Sequence, residues 1–194
     1  MKNYYPIKFD NLKIIQEKVL KFLPENQKYR ESLFYIDDNM NKFLSINELK
    51  ENLIRLNILQ YIFSIAFYVV PTTKETGSTI HIDYSKGSYS LNIPILGCTN
   101  TWVKFYDSNE KPFIKYSNSG VPYYYCNASK CKEIDKLQMS MPHIINIKKI
   151  HNVVNTNKNT RVTLLLRILD TWNPENLQLK VVPCDGIEPP LFAV

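Results

Sequence analysis

Ile150-His-Asn-Val-Val-Asn-Thr-Asn-Lys-Asn-Thr-Arg161-Val-Thr-Leu-Leu-Leu-Arg-Ile168 reads as strand, turn and strand. Apart from Leu165, polar and apolar residues alternate over its last eight positions, a period of two that sends successive side chains to opposite faces. The Asn-rich middle supplies side chains that bend a chain by bonding their own backbone. The stretch therefore predicts a hairpin. With its turn centred near Asn157, His151 falls opposite Thr163 and Arg161 opposite Val153, so that His151, Arg161 and Thr163 share one face. A slip of one residue would turn these side chains apart.

Working outward, the chain from Tyr61 onward consists of short segments rich in β-branched and aromatic residues, separated by Gly, Pro, Asn, Ser and Lys clusters. Strands are expected near 61–70, 78–84, 88–95, 101–107, 112–116, 121–126, 143–148, 150–155 and 161–168, with a short helix around 130–137. Many short strands without alternating helices point to a mainly β fold, a sandwich or jelly roll. The first third is different. Leu12, Ile15, Val19 and Phe22 recur at helical spacing, with Asp10 as a cap and Pro24 as a stop. Ser45-Ile-Asn-Glu48 has the capping-box pattern and precedes Leu49, Leu53 and Leu56, one apolar stripe for packing on a sheet. No repeat, low-complexity tract or linker divides the chain, which reads as one domain: helical support over about 1–58, a β core over about 61–168 and an extension over 169–194.

With 194 residues, of which 44% are hydrophobic and 12% aromatic, the chain can bury a core of its own. It has no apolar run of the ~20 residues that cross a bilayer as a helix. Its N-terminus lacks the pattern of a secretory signal, so a cytoplasmic location is expected. Four cysteines are too few for a disulfide scaffold, and Cys126-x4-Cys131 has no second pair at zinc spacing. The net charge of +6 comes from scattered lysines, which points to a solvated basic surface and away from nucleic acid.

The chemistry lies in three polar residues. His81-Ile-Asp83 closes a predicted strand, where residues two apart share a face and lie ~6.5–7 Å apart along the backbone, so imidazole and carboxylate can converge on one ion. Alone, the pair equally fits the polar face of an ordinary strand. His151 adds a second imidazole. Two histidines and a carboxylate that leave coordination positions open are the ligand set of non-haem Fe(II) oxygenases.

The order His81-x-Asp83, about seventy residues, His151, and then Arg161-x-Thr163 ten positions later resembles the Fe(II)/2-oxoglutarate-dependent oxygenase superfamily over roughly residues 61–168. The resemblance implies a double-stranded β-helix, a jelly roll with the N-terminal helices as outer support. It implies Fe(II) on His81, Asp83 and His151, chelated by 2-oxoglutarate, with O2 taking the remaining position. Decarboxylation to succinate and CO2 would be coupled to hydroxylation of a substrate. Arg161 would grip the distal carboxylate of 2-oxoglutarate through its planar pair of donors, and Thr163 would add a hydroxyl.

Other readings stay open. Arg161, Thr163, Leu165 and Arg167 could form the solvated face of an amphipathic strand, and Arg167 is a second candidate anchor. Asn92, on one face with Ser90, either donates to the cosubstrate or satisfies a buried backbone group. Trp102 and Tyr106 are candidate pocket walls, and His143 is the rival third ligand. The substrate is a protein side chain or a small molecule. An open, grooved mouth would favour a peptide, whereas a closed pocket lined by Tyr84, Trp102 or Tyr124 would favour a small one. The competing function is a non-catalytic β-sandwich or cupin-like binding module. Oligomeric state leaves no trace in the sequence.

Overall fold

The computed structural model describes residues 2–29, 32–36, 40–71, 79–117 and 120–177. Ser78, Cys184 and most of the C-terminal extension lie outside them. The described part is mainly β, with twelve strands in two antiparallel six-stranded sheets. The first sheet runs in the order β1 (Tyr4–Pro6), β10 (His143–Asn146), β5 (Tyr89–Leu96), β12 (Arg161–Ile168), β3 (Ile62–Val70), β2 (Ser32–Tyr35). The second is β7 (Phe113–Tyr116), β8 (Pro122–Tyr125), β4 (His81–Asp83), β11 (Ile150–Asn155), β6 (Thr101–Ser108), β9 (Cys131–Gln138).

Strands β3 to β6 and β9 to β12 alternate between the two sheets. The hairpin expected at 150–163 is therefore not formed. β11 pairs with β4 and β6, whereas β12 pairs with β3 and β5. The Asn-rich bend carries the chain from one sheet to the other. Its side chains bond backbone beyond the bend itself: Asn157 donates to Gly97 and Thr99 carbonyls, and the Thr156 hydroxyl donates to Asn100 O. His151 and Arg161 thus belong to opposing layers.

The first sheet is covered on both faces. Ile65, Phe67, Val69, Leu91, Ile93, Val162, Leu164 and Leu166 pack against the N-terminal helices α1 (Leu12–Leu20), α2 (Met40–Leu44) and α3 (Asn47–Arg55), through Ile15, Val19, Phe43, Leu49 and Leu53. Ile15, Leu49 and Leu53 are fully buried, each adding ~1.5–3 kcal/mol by leaving water. The opposite face looks into the sandwich, where Val103, Phe105, Leu137, Met139, Ile145, Ile147 and Val153 form a second core. Arg161 and Thr163 lie on that inner face and are fully buried, so it is no solvated strand face.

Local expectations met tertiary overrides. Neither expected cap forms: α1 and α3 begin after Asn11 and Ile46 without side-chain caps, and Ser45 donates to Lys42 O. Glu48 instead bonds Lys18 of α1, and Asn52 exchanges hydrogen bonds with the Asp10 backbone, so the capping residues tie helix to helix. Helix α1 ends at Leu20, before Pro24. The helix expected over 130–137 is strand β9, paired with β6 from Trp102↔Gln138 to Ser108↔Cys131. Its Lys, Glu and Leu content favours helix, but an open sheet edge overrides so weak a preference. A Cβ at Gly87 would collide with the Ile168 carbonyl, which keeps this turn between β4 and β5 tight against β12. None of the described helices is long and apolar enough to cross a membrane.

Candidate metal centre

Strand β4 is three residues long, and its pattern places His81 and Asp83 on one face with Ile82 on the other. His81 lies directly across from His151 of β11, their ring centroids 4.6 Å apart. One nitrogen of each ring and one carboxylate oxygen of Asp83 lie within 4.8 Å of one another. His81 Nε2 is 3.1 Å from Asp83 Oδ1, close to the ~3 Å between adjacent ligands on one ion with ~2.1 Å bonds.

The surroundings set the donor atoms. His81 Nδ1 lies 2.6 Å from Thr79 O and His151 Nδ1 lies 2.8 Å from Lys149 O. A carbonyl only accepts, so both Nδ1 atoms carry the proton and both Nε2 lone pairs are left for a cation, the outer-shell arrangement that fixes a metal-binding histidine. Arg167 Nη1 donates to Asp83 Oδ2 at 2.6 Å and leaves Oδ1 toward the histidines.

The protonation states follow from these contacts. Burial by itself would raise the Asp83 pKa, but the adjacent Arg167 guanidinium and the two histidines outweigh it and hold the carboxyl well below its usual range. Burial would lower that of His81, yet the hydrogen bond and charge of Asp83 raise it. For His151 the balance goes the other way: burial, then the neighbouring His81, outweigh the Asp83 charge and the Lys149 carbonyl and push it down to about 4. Without metal, these contacts therefore favour a proton between His81 and Asp83 where a cation would sit, and a neutral His151.

These residues line a cavity of about 1220 Å3 between the sheets. Arg161 and Arg167 reach it from β12, Asn92 from β5, and Tyr68 from β3. The Arg161 guanidinium lies 5.7 Å from the Tyr68 ring centre, and its Nε and Nη1 have no hydrogen-bond partner. Asn92 accepts from the Ser90 hydroxyl at 2.7 Å. Thr163 sits beside Cys98, Oγ1 to Sγ 3.8 Å, and is not among the described residues that line the cavity.

His143 lies in the first sheet, paired with Asn92; its Nδ1 donates to Met141 O at 2.6 Å, and burial lowers its pKa to about 4. The ligand cluster contains His151 and not His143. Trp102 and Tyr106 do not wall the cavity either. Lys136 lies over the Trp102 ring, and the Tyr106 hydroxyl donates to Asn152. The described aromatic lining comes instead from Tyr35, Phe63, Tyr68, Tyr84, Tyr116 and Tyr123. Which tyrosines face inward depended on sheet pairings that residue type does not encode.

No protein-family model and no curated protein matches the chain. Among solved structures it is similar to a prolyl-4-hydroxylase from Pseudomonas putida at 9% identity, covering 88% of this chain and 87% of that one with a TM-score of 0.45. It is similar to AviO1 from Streptomyces viridochromogenes Tue57 at 12% identity, covering 89% and 91% with a TM-score of 0.47. The non-heme monooxygenase ThoJ matches at 8% identity over 87% and 74%, with a TM-score of 0.40. Likenesses this distant assign no activity.

Proposed function

We propose that this chain is a Fe(II)- and 2-oxoglutarate-dependent oxygenase, a hydroxylase built on a double-stranded β-helix. The observation that carries the reading is Arg161: fully buried, with two guanidinium nitrogens unpartnered, and lining the same cavity as His81, Asp83 and His151. An uncompensated buried charge costs several kcal/mol. Its place on the inner face makes sense if an anion completes it, and a dicarboxylate held in the same cavity would supply one.

The donor set fits iron. Two neutral imidazoles and one carboxylate, on one side of the ion, suit a non-haem Fe(II) that keeps positions open for cosubstrate and oxygen. When bound, Fe(II) with 2-oxoglutarate and O2 supplies the oxidising power: the oxo acid is decarboxylated to succinate and CO2, and one oxygen atom enters the substrate. The protein supplies position. Arg167 holds Asp83 Oδ2, the Thr79 and Lys149 carbonyls hold the imidazoles, and Arg161 selects a carboxylate through paired donors. Asn92, which lines the same cavity, would contact the cosubstrate. Ile145, Ile147, Val153 and Leu165 give the cavity apolar walls.

The test is direct. Protein loaded anaerobically with Fe(II) and 2-oxoglutarate should bind the cosubstrate only when metal is present, and should form succinate on admission of oxygen. Absence of both would leave the binding-module reading in its place.

A further inference from the structure

We infer that the substrate hydroxylated at this site is an anion with a flat ring, received by Lys86 and the tyrosines at the cavity mouth. Among the described lining residues, three cations, Lys86, Arg161 and Arg167, face one carboxylate, Asp83. Loading does not remove the surplus of two positive charges, because a divalent metal and a doubly charged oxo acid cancel. The inference rests on the proposed cofactor pair for that cancellation and for the assignment of Arg161; the unloaded cavity carries at least the same surplus. Arg167 is paired with Asp83 and Arg161 is committed to the cosubstrate, which leaves Lys86, exposed at the mouth, for the substrate. A cavity of one sign concentrates ligands of the other.

The ring requirement comes from the same wall. Tyr84 and Tyr116 line the mouth at 55% and 69% exposure, and although the Tyr124 ring lies 5.6 Å from that of Tyr84, each keeps ring surface open to solvent. Tyr123 lies deeper, edge-on to His81 with ring centres 5.9 Å apart. Three tyrosines, from the end of β4, from β7 and from β8, thus step from the mouth to the metal ligands. A planar group can stack on such faces while its anion meets Lys86. The shared chemistry is an aryl group bearing a carboxylate, carried either by a free acid or by an acidic peptide.

The experiment uses protein saturated with diamagnetic Zn(II) and 2-oxoglutarate, with labelled tyrosine rings followed by NMR. The probes are matched: phenylacetate against phenylacetamide, and N-acetyl-Glu-Tyr-Glu amide against N-acetyl-Gln-Tyr-Gln amide. Each acid should bind more tightly than its neutral partner and shift the Tyr84 and Tyr116 signals, assigned through Tyr84→Phe and Tyr116→Phe. The margin should shrink between ~10 mM and ~1 M salt, as the screening length falls from ~30 to ~3 Å. Lys86→Ala should reduce the margin about 1.5-fold to fivefold at low salt, the range for an exposed ion pair.

Which acid binds more tightly identifies the source, free acid or acidic peptide. Equal binding of acids and amides, a margin unmoved by Lys86→Ala, or acids that bind only by displacing 2-oxoglutarate would each overturn the inference. A protein that takes up neither Zn(II) nor 2-oxoglutarate would sink the proposed function instead. The same comparison on the unloaded protein would then decide this one.

Discussion

Arg167 and Asp83 are joined across the cavity by a 2.6 Å hydrogen-bonded ion pair, one from each sheet. Both side chains are largely buried, at 14% and 17% exposure. The contact fixes which carboxylate oxygen is left for a cation and keeps the acid ionised. It also occupies Arg167, leaving Arg161 as the buried arginine without a partner for either Nε or Nη1.

Loss of Arg167 should therefore weaken metal binding, beyond any stability lost by leaving Asp83 to His81 alone. Arg167→Met is expected to raise the Mn(II) dissociation constant ~10–100-fold, the usual effect of removing an outer-shell partner. Arg167→Lys should restore part of the loss. Titration calorimetry at fixed pH measures both, and an unchanged affinity in Arg167→Met would reduce the contact to a structural ion pair.

Arg161 should show the opposite trade. Arg161→Ala is expected to cost ~2–4 kcal/mol of 2-oxoglutarate affinity in the metal-loaded protein, as for truncating one side of a desolvated charge pair. Arg161→Met should at the same time raise the melting temperature of the unliganded protein, because it removes an unpartnered buried charge. Both are read from anaerobic binding and thermal melts. A variant that loses stability and keeps 2-oxoglutarate would refute the anchor role.

Metal uptake should displace the proton held between His81 and Asp83. Fe(II) or Mn(II) affinity is then expected to fall as the pH drops below the raised His81 pKa, and uptake in weakly buffered solution should acidify it. His81→Ala, Asp83→Ala and His151→Ala should each abolish the thermal shift produced by metal, while His143→Ala keeps it. Retention of that shift in His151→Ala would reassign the third ligand.

His143 should destabilise the fold in acid. Its folded-state pKa of about 4 lies below the ~6.5 of an unfolded histidine, so the unfolded chain takes up the proton first. Stability is then complete above about pH 6.5 and declines toward pH 4, by at most roughly 3 kcal/mol. His151 titrates in the same direction when metal is absent. The comparison is therefore between parent and His143→Gln in denaturant melts across this window, and the variant's curve should be the flatter. Parallel curves would mean that His143 remains neutral or charged alike in both states.

The sequence by itself determined the local features. Alternation in Arg161–Ile168 marked a strand, the residues in Leu12–Leu20 and Asn47–Arg55 marked two helices, and His81-x-Asp83 could share a face because a strand has a period of two. These are short-range properties, set within a few residues. β1 and β2 escaped because they are short pieces in a first third that reads as helical, and β9 escaped because its composition suits a helix.

Pairing was decided only in three dimensions. The bend after Asn155 looks the same in a hairpin as in a crossing between sheets, since what separates them is the partner each strand finds far along the chain: β4 and β6 for one, β3 and β5 for the other. That choice rests on burying both faces of Arg161–Ile168, one against the helices and one inside the sandwich. From it follow the facts the sequence left open: Arg167 meets Asp83, Arg161 lies without a partner for two of its nitrogens, Thr163 turns to Cys98, and His143 stays in the other layer. Residue types state what a side chain can do, but long-range packing decides what it faces.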